Sequence, residues 1–144
     1  MFYGNNIQDT RQLFYSSWNK YLQKQVLLPL EEQIAAVILD HPEYHALLET
    51  TTAEQGVPYF PEMGETNPFL HMGLHLAIRD QVNTNRPVGI KPIHTQLVKK
   101  HQDPLKAEHL LMECLAESLW LAQQAQSMPD EAHFLSCCRD LLRA

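Results

Sequence analysis

The sequence predicts an all-α protein, a single-domain irregular helical bundle of five or six helices spanning residues 1–144, and three observations predict it. Apolar residues recur at intervals of three and four in several separate stretches, the mark of helices that bury one face. Proline, asparagine and aspartate stand just ahead of those stretches, where the free N–H groups of a helix start need acceptors or tolerate a missing donor. No period-two run of convincing length and no internal repeat occurs.

The first helix runs from Asp9 to about Gln25, with Leu13, Phe14, Trp18, Tyr21 and Leu22 at helical spacing and Asp9 with Gln12 as an N-terminal cap. After LLPL, a second stripe of Leu30, Ile34, Val37, Ile38, His41, Tyr44, His45 and Leu48 makes helix two, kinked or divided at Pro42. The stretch TTTAEQGVPYFPEMGET, residues 50–66, carries two glycines and two prolines and is a long connection that covers a site or a core. Asn67 caps helix three, Pro68 takes its first turn, and the helix continues to about Asn83.

TNRPVGIKP is a linker with turn chemistry, followed by a short helix from about Pro92 to His101 that presents Ile93, Leu97 and Val98. Pro104 to about Gln124 is rich in strong helix formers and apolar over most of its circumference, which predicts a central helix. The last helix begins near Ser127-Met128-Pro129-Asp130 and presents Phe134, Leu135, Cys138, Leu141 and Leu142. Helices two, three and the central one are expected to form the core.

Composition narrows the function classes. A net charge of -6, with no basic run longer than Lys99-Lys100, argues against a surface that tracks phosphates, so no nucleic-acid partner is expected. No apolar run approaches a membrane span and the first twelve residues lack an apolar signal core, so the expectation is a cytoplasmic protein with no membrane partner. Cys114, Cys137 and Cys138 are odd in number and lack CxxC spacing. They read as buried thiols rather than a disulfide framework or a zinc ribbon.

The chemistry gathers on histidine. A residue four positions along a helix lies about 40° past a full turn, so His41 with His45 and His71 with His75 each share a face. Both pairs fall among apolar neighbours and so point inward, where an unsatisfied polar group costs about 1–3 kcal/mol. On the central helix His109, Glu113 and Glu117 form a ladder at the same spacing. Imidazoles and carboxylates on facing helices are how helical folds hold zinc, iron or manganese. The predicted metal site is therefore His41, His45, His71, His75, His109, Glu113 and Glu117, with one or two divalent or iron ions.

The plainer reading stands beside it. Lys106, His109, Glu113, Glu117 and Gln124 line one side of the central helix and make an ordinary solvated stripe, and inward histidines are also satisfied by carboxylates or backbone carbonyls. On that reading the chain is a non-enzymatic interaction or scaffold protein with a buried hydrogen-bond network. No HExxH, ExxH, phosphate loop or GxSxG elbow is present, so zincin, di-iron carboxylate, nucleotide and serine-hydrolase chemistry have no foothold. If the centre is catalytic, Glu62 or Glu117 is the candidate base beside an activated water, with Tyr59 in the same long loop. Arg79 is placed to neutralise a carboxylate such as Glu113, while His94, His101 and His133 read as solvated surface.

The segments HPEYH, ETNPFLHMGLHLAIRDQ and ECLAESLW, with RQLFYSSWNKY near the start, resemble a bacterial family catalogued as domain of unknown function 1841 over nearly the whole chain. The resemblance implies a small cytoplasmic bacterial protein. It brings no assigned activity and no ligand residues to carry over.

Overall fold

In a computed structural model the described residues, 7–51 and 67–143, are helical with no strand among them. Seven α-helices and one 3-10 turn make up these residues, one or two helices more than the sequence predicts. They are α1 (Ile7–Leu22), α2 (Pro29–Leu39), the 3-10 turn Pro42–Tyr44, α3 (His45–Thr50), α4 (Pro68–Thr84), α5 (Ile90–His101), α6 (Pro104–Ala125) and α7 (Glu131–Asp140). The side chain of Asp9 and the loop residues Tyr59, Phe60 and Glu62 lie outside what is described.

The extra helix comes from Pro42. Its ring crowds the preceding residue out of the helical region, and His41 accordingly sits at φ -127°, ψ 68°. The predicted second helix is thus cut into α2, a tight turn and the short α3. Helix starts follow side-chain chemistry elsewhere. Asn67 Oδ1 accepts from Phe69 N at 3.0 Å and Leu70 N at 3.3 Å, as its place before Pro68 predicts. Asp103 caps α6 through Leu105 N and Lys106 N, and Asp130 caps α7 through His133 N. Asn85 Oδ1 receives Gly89 N and Lys91 N, both at 3.1 Å, which starts α5 two residues ahead of the predicted Pro92.

The chain divides into two compact units, residues 1–76 and 77–144, with the boundary inside α4. In the first, Phe14, Tyr15 and Trp18 of α1, Ile34, Val37 and Ile38 of α2, Leu48 of α3 and Phe69, Met72 and Leu76 of α4 form one buried cluster. Lys20 Nζ meets Glu31 Oε2 at 2.7 Å and Leu28 N donates to Glu31 Oε1 at 2.8 Å, so α1 is tied to the first turn of α2. That hydrogen bond to Lys20 and the one from Leu28 hold the Glu31 carboxyl below its ordinary value.

In the second unit, α5, α6 and α7 pack on one another, burying Ile90, Ile93 and Leu97, then Ala107, Leu111 and Leu115, then Phe134, Leu135 and Cys138. Cys114 and Cys137 are joined by a disulfide with Cα atoms 5.8 Å apart, which corrects the expectation of three thiols. The pairing depends on how α7 lies against α6, and a separation of 23 residues leaves no sequence signature for it. Cys138, one residue on, turns about 100° away from its neighbour and inward. It is a fully buried free thiol whose pKa burial pushes up to about 12. No described helix is long and apolar enough to cross a membrane.

Candidate metal centre

The end of α2 prepares the first ring. In an uninterrupted helix the Val37 carbonyl would accept from the backbone N–H of residue 41. Here the His41 N–H goes to Ile38 O at 2.9 Å instead, and the ring Nδ1–H of His41 donates to Val37 O at 2.8 Å. A carbonyl only accepts, so this contact assigns the proton to Nδ1 and, in the neutral ring, leaves a lone pair on Nε2.

That lone pair points at α4. His41 Nε2 lies 3.1 Å from His75 Nε2, and His75 Nε2 lies 3.2 Å from His71 Nε2. His71 and His75 are one turn apart on α4, as their spacing predicts, with ring centroids 4.8 Å apart and planes nearly perpendicular. A donor nitrogen from each of the three rings lies within 4.8 Å of the other two. His41 and His75 are buried, His75 completely, and His71 is half-buried. Tyr44, in the turn after His41, stacks on the His41 ring at 5.6 Å with planes 6° apart.

Protons alone serve this arrangement poorly. His41 Nε2 has no hydrogen to give while its ring is neutral, so the contact with His75 needs the hydrogen of His75 Nε2. That nitrogen then has one hydrogen for two facing nitrogens, His41 Nε2 and His71 Nε2. Three lone pairs directed at one cation satisfy all three rings together. Tetrahedral zinc with bonds of about 2.0–2.1 Å sets its nitrogens roughly 3.3–3.4 Å apart. The two observed separations, 3.1 and 3.2 Å, are a little shorter than those edges.

The other predicted ligands stand as follows. The break at Pro42 takes His45 off the helix that carries Val37, so the same-face pairing with His41 does not form. His45 Nε2 is hydrogen-bonded to Ile38 O at 2.8 Å and its ring lies on Trp18 at 4.6 Å. His109, Glu113 and Glu117 are all exposed on α6, in the stripe with Lys106 and Gln124. Glu117 Oε2 is 3.7 Å from the disulfide sulfur of Cys137. Arg79 pairs with Glu108, not Glu113, its Nε reaching the two carboxylate oxygens at 3.0 and 3.1 Å. His94 is half-buried rather than solvated, and that burial lowers its pKa against an opposing pull from Glu108.

The partners that sequence reasoning missed are the Val37 carbonyl and the Tyr44 ring. Both were signalled by HPEYH, since a proline directly after histidine ends the helix and turns the His41 N–H to Ile38 O, so that Val37 O, which accepts from Asp40 N at 3.1 Å, keeps a second lone pair for the ring.

No curated protein and no solved structure matches the chain. One family model does, over residues 6–140, nearly the whole sequence. The chain belongs to the family described as domain of unknown function DUF1841.

Proposed function

We propose that this chain is a metal-binding protein whose centre is built by Nε2 of His41, His71 and His75. The observation that carries the reading is the approach of His41 Nε2, at 3.1 Å, and His71 Nε2, at 3.2 Å, to His75 Nε2, with the tautomer of His41 set by a backbone carbonyl. A carbonyl that accepts from the far ring nitrogen in this way orients a ligating histidine and raises the basicity of its free nitrogen. All-imidazole donors suit zinc, iron and related transition metals rather than calcium or magnesium.

The test is elemental analysis of tag-free protein beside a His71→Ala/His75→Ala variant shown to be folded by circular dichroism. Near-stoichiometric zinc, iron or manganese in the wild type, lost in the variant, is the expected result. Glu113→Ala and Glu117→Ala should keep their metal, and His109→Ala reads whether α6 or solvent supplies a further donor. Metal-free protein that takes up none of these ions on addition overturns the reading.

The second reading is a scaffold protein in which the same rings form a hydrogen-bond network, and one observation favours it: both nitrogen separations are also hydrogen-bond distances. It predicts metal-free protein whose stability is unchanged by added ions.

A further inference from the structure

We propose that the Cys114–Cys137 bridge, once reduced, opens a second metal site, in which the two thiolates and the Glu117 carboxylate hold a thiophilic divalent cation. The site lies wholly on α6 and α7 and does not rest on the histidine centre. In the disulfide-bonded chain it does not exist. Its first support is placement. Helical spacing puts Cys114 and Glu117, three residues apart, on neighbouring positions of one α6 face, and the disulfide shows that Cys137 of α7 meets that face. Glu117 Oε2 is already 3.7 Å from Cys137 Sγ. A free Cys137 thiol therefore has an acceptor at hand, and the contact keeps the carboxylate beside the sulfur.

The second support is access. Cys114 is buried, Cys137 is half-buried and Glu117 is exposed, so reductant and cation both approach from the Cys137 side. A dithiol supplies the two electrons. One of its thiolates attacks Cys137 Sγ and Cys114 leaves as a thiolate that takes up a proton. The second sulfur of the reductant then displaces Cys137, so the reductant ends as a disulfide and the protein as two thiols. The cation releases both thiol protons to solvent as it binds. The third support is reach. Bonds of about 2.3 Å, the zinc–thiolate length, set two sulfurs roughly 3.3–3.8 Å apart for angles from about 90° to tetrahedral. Unbonded sulfurs on Cα atoms 5.8 Å apart reach that separation by side-chain rotation. Cys138 is fully buried and takes no part.

The test is cobalt(II) titration of the full chain, both disulfide-bonded and after anaerobic reduction with a phosphine that is then removed. Cobalt is the probe because thiolate ligands give it a sulfur-to-metal charge-transfer band in the near ultraviolet, which imidazole and carboxylate do not. The expected band appears only after reduction, has the intensity of two thiolates, is absent from Cys114→Ser/Cys137→Ser, and forms with affinity about ten-fold or more weaker in Glu117→Gln. No band in the reduced protein, whether circular dichroism shows it helical or unfolded, overturns the proposal. An equal band in Cys114→Ser/Cys137→Ser, which would place the ligand at Cys138, also overturns it, as does equal affinity in Glu117→Gln.

Discussion

His75 is the residue on which the centre turns, because its Nε2 is the one atom in contact with both other rings. Replacing it with alanine has two separable consequences. In metal-free protein the imidazole leaves a cavity at a position with no exposure, and His41 Nε2 loses its neighbour, together about 2–3 kcal/mol of stability. In the presence of zinc the wild type gains a further term from linkage. At a free concentration of about 100 times Kd that term is about 2.7 kcal/mol, or roughly 5–10 °C in Tm for a chain of this size. The His75→Ala variant loses the linkage term as well, so its deficit against wild type should about double when zinc is added. Urea denaturation with chelator and with zinc, using His133→Ala as an exposed control, measures both terms. A zinc-induced gain as large in His75→Ala as in the wild type would refute the placement of the ligands, whatever the apo stabilities are.

Three further outcomes follow from single features of the structure. Pro42→Ala removes the clash that keeps His41 out of the helix; α2 is then free to extend, and the His41 N–H moves from Ile38 O to Val37 O in place of the ring, so zinc affinity should fall about ten-fold or more with no ligand removed, measured by chelator competition. Replacing Cys114 and Cys137 by serine opens a loop of 23 residues, worth about 3 kcal/mol by chain entropy, and the variant's urea midpoint should no longer respond to dithiothreitol, whereas the wild type's should. His94 has a pKa below the ordinary histidine value of 6.5 because burial disfavours its charged form. The unfolded chain therefore takes up the proton first, so this contribution is intact above pH 6.5 and lost as pH falls through the folded value; His94→Gln should flatten the acid limb of a stability–pH profile in that window.

Several parts of this protein were decided by the sequence alone. Helical periodicity, Asn67 before Pro68 and Asp103 before Pro104 specify where helices lie, because caps and apolar stripes are local and need no knowledge of distant partners. The His71–His75 pair was legible for the same reason, since four residues on one helix place two rings on one face by geometry alone. Tertiary structure decided what each ring meets. Helical phase could not separate His41 from His45, because it presumes a continuous helix, and Pro42 ends that helix between them; one ring then turns to α4 and the other to Trp18. Nor could spacing say which way Glu113 and Glu117 of α6 face, and both are exposed. The Cys114–Cys137 bond and the Arg79–Glu108 pair were equally hidden, for each joins residues more than twenty apart whose meeting is fixed by helix packing and by no local pattern.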